Sequence, residues 1–127
     1  MQTEKYKKIA IFFIITSIIL GSLKAHSLKQ ILSEKALDSL EIGIRYQLFH
    51  GLAILFLALM PEKFNSMLNQ SLNLMTLGIF LFSFSIYLLS IQEITIPMNL
   101  LGPITPIGGV LLVLSWIILF FTIKKTD

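Results

Sequence analysis

Residues 72–91 read LNLMTLGIFLFSFSIYLLSI, 20 positions without a charged side chain. As a helix, such a run is about 30 Å long, the thickness of a bilayer's hydrocarbon core. Its polar residues are ordered. Asn73, Thr76, Ser83, Tyr87 and Ser90 follow at steps of three, seven, four and three, which trace one helix face. A helix that is apolar all round except for one polar seam predicts a membrane span whose seam faces other helices.

Composition agrees. Of 127 residues, 55% are hydrophobic and 13% charged, with a mean hydropathy of +0.84. A soluble domain carries about 25% charged residues, and a domain this small buries only around two-thirds of its surface. The excess apolar surface therefore has to face lipid. A soluble enzyme and a disordered chain are excluded. With Cys absent, so are disulfide scaffolds and thiol chemistry. The net charge of +3 comes from short lysine clusters, with no basic face interleaved by aromatics, so nucleic acid is not an expected partner. The bilayer is.

Working outward, Pro61 disfavours helix at Met60, so a second span ends there; counting back gives 42–60, with Glu41 and Arg45 at the membrane boundary and His50 near mid-depth. Before it, Ser33 reads as an N-cap, and Leu37, Leu40, Ile44 and Leu48 recur at helical spacing opposite Glu34, Lys35 and Asp38. This pattern predicts a short amphipathic surface helix near 33–41, running into the second span. Ile9 to Leu23 is uncharged but covers only about 22 Å. Extension to 6–25, with Lys7, Lys8 and Lys24 snorkelling, makes it a first span. The alternative, a cleaved signal peptide, lacks a small-x-small cleavage pattern in the residues that follow. Gln92 to Pro103 reads as a loop containing Glu93 and Pro97. A fourth span near 106–123 follows, with Thr105 as N-cap and Pro106 in the first helical position. The expected fold is an all-α integral membrane protein: a four-transmembrane-helix bundle in one domain over residues 1–127.

With four spans, both termini and the 61–71 loop share a side, which carries Lys5, Lys7, Lys8, Lys63, Lys124 and Lys125. The other side carries Lys24, Lys29, Lys35 and Arg45. Six against four places both termini in the cytoplasm.

Four stretches carry a family resemblance. They are Gly21-Ser22-Leu23-Lys24-Ala25-His26, Gly43-Ile44-Arg45-Tyr46-Gln47-Leu48-Phe49-His50, Leu81-Phe82-Ser83-Phe84-Ser85-Ile86-Tyr87 and Ile104-Thr105-Pro106-Ile107-Gly108-Gly109, with Trp116 beyond them. In this order they resemble the motifs of the bacterial domain-of-unknown-function family 423. Lys24 and Phe84 depart from the pattern, standing where that family more usually has glycine. The resemblance implies a small inner-membrane protein, distantly similar to a mitochondrial relative. It implies no activity.

The topology gathers His26, Glu41, Arg45, Tyr46, Gln47, Tyr87, Ser90 and Thr105 at one end of the bundle, with Ser83 and His50 deeper. Intramembrane polar groups face a protein interior or a watery cavity. Interhelical hydrogen bonds are one use for the cluster, aided by Gly43, Gly78, Gly108 and Gly109 at close helix contacts. A proton, ion or small-ligand site on His26, Glu41, Gln47 and His50 is a second, and a surface that docks a larger partner is a third. The N-terminal amides of the fourth span would point their partial positive charge at this cluster. Two His and one Glu match the ligand count of a catalytic zinc site, but no short His-x-x-x-His spacing occurs, so no metal or cofactor is expected. Ser83 and Ser85 have no base beside them and no nucleophile elbow. The Thr105-Pro106-x-Gly108-Gly109 run lacks the Lys and Ser/Thr of a phosphate-binding loop. Glu41 and Arg45 stand in favourable ion-pair order. His50 is expected to be buried and bonded to a partner on the third span or near His26, with Gly43, Tyr46 and Gln47 turned inward beside it.

The sequence thus predicts a non-enzymatic accessory or assembly subunit of a larger inner-membrane complex, partnered by another membrane protein or by copies of itself. The alternative is an oligomeric transporter or channel-like protein with a polar intramembrane site.

Overall fold

In the computed structural model, residues 3–91 and 101–125 are described. They form four α-helices: α1 (Thr3–Ala25, 23 residues), α2 (Glu34–Leu59, 26), α3 (Leu68–Ile91, 24) and α4 (Ile104–Thr122, 19). All four are long and apolar enough to cross a membrane. Consecutive helices pack against one another, α1 on α2, α2 on α3 and α3 on α4. Most large apolar side chains on the outside, such as Phe12, Ile18, Phe49, Phe56 and Phe120, remain exposed, as a lipid-facing surface requires.

α1 buries only the stripe Tyr6, Ala10, Phe13 and Ser17, so it lies at the perimeter. α2 and α3 bury far more and form the centre. The apolar core has two parts. Ile54, Leu57, Leu72, Met75 and Ile79 belong to one, nearer the termini. Leu32, Ala36, Leu40, Ile44 and Ile86 make the other, at the opposite end. Between them α2 contributes residues 47–50 and α3 contributes Ser83. The polar residues therefore form a layer across the bundle.

Ser33 caps α2, its hydroxyl accepting from the Ala36 amide at 3.2 Å. No separate surface helix occupies 33–41, however. Residues 34–59 are one unbroken helix, because nothing between the cap and Met60 interrupts propagation once the first turn has formed. The apolar side of its first turns packs onto Ile86 and Tyr87 instead of lying on the membrane surface. α2 does end at Leu59, before Pro61.

α4 begins before Thr105. Pro103 occupies the N-cap, and its carbonyl accepts from Ile107. Pro106 is tolerated because the first-turn amides have no intrahelical acceptor. Thr105 is inside the helix, and its hydroxyl bonds Ser85 instead of capping. The expected loop at Gln92, Glu93 and Pro97 lies outside the described residues.

Candidate functional site

Gln47 is the centre of the polar layer. Fully buried, it donates from Nε2 to the Phe13 carbonyl at 2.9 Å and to the Thr16 hydroxyl, while its Oε1 accepts from the Tyr87 hydroxyl at 2.6 Å. One amide thereby joins α1, α2 and α3. One turn away, the Ser83 hydroxyl donates to the Gly43 carbonyl at 2.8 Å. Gly43 also lets Tyr87 come close: a Cβ there would stand 2.7 Å from the Tyr87 ring.

His50 is also buried, but its partner is on neither the third span nor near His26. Trp116 of α4 donates its indole N–H to His50 Nε2 at 2.9 Å. Indole is a donor only, so Nε2 carries no proton. The ring proton sits on Nδ1 and donates to the Tyr46 carbonyl at 2.8 Å. Both imidazole nitrogens are thus committed in the neutral form. The third span is not the partner: its nearest polar residues, Ser83 and Tyr87, bond Gly43 and Gln47 instead.

Tyr46 does not turn inward with its neighbours. It is 43% exposed, against the Phe82 ring at 5.0 Å. Adjacent helical residues diverge by about 100°. With Gln47 facing the α1–α3 seam, Tyr46 is carried towards α4.

The remaining expected residues are scattered. Glu41 pairs with Lys24 at 3.0 Å and with Arg45 at 3.4 Å in a half-exposed cluster, where such pairs are worth little. Lys24 thus ties the end of α1 to α2. His26 is exposed beyond α1, and no side-chain hydrogen bond or ion pair joins it to the layer. Ser90 is buried and, among the described residues, bonds only the Ile86 carbonyl of its own helix. Gly78 and Gly108 set the α3–α4 crossing: a Cβ on Gly108 would lie 2.5 Å from the Phe82 amide nitrogen. Gly109 has room to spare, its nearest neighbour being the Phe82 ring at 3.8 Å. Among the described residues no three of His, Asp and Glu converge as a metal would require.

Several contributors escaped the sequence reading. Thr16 completes the Gln47 bonds. Ser71 donates to the Ser115 carbonyl at 2.8 Å across α3 and α4. Tyr6 of α1 bonds Asn69 at 2.7 Å and also Asn73 of α3. The available signal was weak: single hydroxyls embedded in otherwise apolar helices.

Four apolar helices tied together by an internal hydrogen-bonded layer define a small multi-pass membrane protein. A family model described as "Protein of unknown function (DUF423)" matches residues 20–109, and the chain belongs to that family. It is 38% identical over 104 residues to a UPF0382 membrane protein of Haemophilus influenzae, covering 82% of this chain and 81% of the relative. It is 36% identical over 105 residues to one of Staphylococcus epidermidis (83% of each chain), and 35% identical over 108 residues to YwdK of Bacillus subtilis (84% and 85%). No solved structure matches it.

Proposed function

We propose that the chain is an accessory or assembly subunit of a larger complex in the bacterial inner membrane. It acts as one membrane domain, docks against another membrane protein, and performs no chemistry of its own. The observation that carries this reading is the saturation of the polar layer. Gln47 spends its amide and its carbonyl on three partners, and His50 spends both nitrogens. Held this way, Gln47 and His50 lock helices together, and neither is free to bind a substrate or relay a proton. The transporter reading needs the same groups open to water, and these bonds weigh against it. Extraction in a mild detergent, followed by native gels and mass spectrometry, tests the proposal. A stoichiometric membrane partner is expected; migration only as a small homo-oligomer would overturn it.

A further inference from the structure

α2 and α4 do not close upon each other. A groove runs between them along the membrane-facing surface, and Trp116 divides it in two. The half towards the termini has a volume of about 730 Å³ and is walled by apolar side chains, among them Phe49, Ala53, Phe56 and Leu119. Along α2 it extends from Phe49 to Leu59, about 15 Å, or half of a roughly 30 Å hydrocarbon core. Its depth is that of one leaflet. Trp116, bonded to His50, closes its inner end.

The mouth of this half is built differently from its walls. Phe64 and Ile123, which line it, form an isolated antiparallel bridge that clamps the loop after α2 to the end of α4. Asn65 N–H donates to the Thr122 carbonyl at 2.8 Å, and Lys124 N–H to the Lys63 carbonyl at 3.2 Å. The same pairing sets Lys63 directly opposite Lys124, with Lys125 next in the chain. Like charges opposed across a ladder repel. Among the described residues none of these lysines has an acidic partner: Glu62, beside Lys63, pairs with none of them, and Asp127, two residues after Lys125, lies outside the described residues. The bridge thus sets the backbones of Lys63 and Lys124 side by side, with Lys125 next in the chain, at the mouth of an apolar slot about half a hydrocarbon core deep.

We propose that this is a binding site for an anionic phospholipid: one acyl chain lies in the α2–α4 groove, and the phosphate is held by Lys63, Lys124 and Lys125. The charge selects the occupant. A second copy of the chain would bring the same lysines or another apolar helix face, and a zwitterionic lipid would bring a cation of its own beside its phosphate, cancelling the charge it offers. The site is independent of any accessory role, since it needs only the bilayer.

The test is native mass spectrometry of the full chain in a neutral detergent, with phosphatidylglycerol and phosphatidylcholine of identical acyl chains added in equal amounts. Retained phosphatidylglycerol should exceed phosphatidylcholine by about tenfold. Combined Lys63→Gln, Lys124→Gln and Lys125→Gln should abolish that preference. Combined Lys5→Gln, Lys7→Gln and Lys8→Gln should leave it intact, because those lysines share the membrane side but no α1 residue lines the groove. Ala53→Phe, which fills the slot, should reduce retention of both lipids. Equal retention of the two lipids in the unmodified protein overturns the proposal. So does an equal loss of preference in both lysine triples, which would mean diffuse surface charge, or a lipid-free dimer.

Discussion

His50 and Gln47 show how one helix turn serves three neighbours. Gln47 reaches the α1–α3 seam and His50 reaches Trp116 on α4, so α2 is hydrogen-bonded to every other helix. His50→Leu leaves the Trp116 N–H unpaired in an apolar setting, a loss of about 1–3 kcal/mol. Phe49→Leu, on a side chain 62% exposed to lipid, should change stability by less than about 0.5 kcal/mol. Unfolding in mixed micelles compares them; equal effects would mean that the His50–Trp116 bond carries no stability. Gln47→Leu and Tyr87→Phe should not add, because they remove the same 2.6 Å bond. A double-mutant cycle should return a coupling of about 0.6–2 kcal/mol. The inward placement of His50 and Gln47 was legible from depth and polarity. Their partners were not. Residue spacing fixes which face a side chain takes but not which neighbouring helix meets that face, and Trp116 had no feature that marked it as the donor.

At the scale of elements, the α3–α4 pair turns on glycines whose roles the sequence could not separate. Gly108 and Gly109 are adjacent and chemically identical, yet they stand about 100° apart around α4. Only Gly108 meets backbone: its Cβ would clash with Phe82 N and the Gly78 carbonyl, neither of which can swing away. Gly108→Ala should therefore force the helices apart at a cost of about 1–3 kcal/mol. Gly109→Ala meets only ordinary contact and gains helix propensity, so it should be neutral or stabilising by up to about 1 kcal/mol. Thermal melts of the two variants side by side check this; similar destabilisation by both would refute the close crossing. Helix existence was readable throughout from uncharged length. The ends were less so. Thr105 looked like a cap by residue type, but Pro103 has that position and Thr105 bonds Ser85 of α3 instead. A tertiary partner overrode a local preference.

On the scale of the whole molecule, α1 starts, α2 ends, α3 starts and α4 ends at one pole, as the Tyr6–Asn69 bond and the Phe64–Ile123 bridge require. That pole gathers Lys5, Lys7, Lys8, Lys63, Lys124 and Lys125. Lysines near span ends favour the cytoplasmic side, where anionic lipid also concentrates, so this pole should face the cytoplasm. The natural absence of cysteine makes the test direct. Single Lys63→Cys, Lys125→Cys and Gln30→Cys chains are treated with a membrane-impermeant maleimide in spheroplasts, before and after the membrane is opened. Cysteine at 30, in the exposed turn after α1, should label at once. Cysteines at 63 and 125 should label together and only after opening, since the bridge fixes them at one pole. Labelling of 63 and 125 in intact spheroplasts, with 30 protected, would invert the molecule. A split between 63 and 125 would break the four-span topology itself.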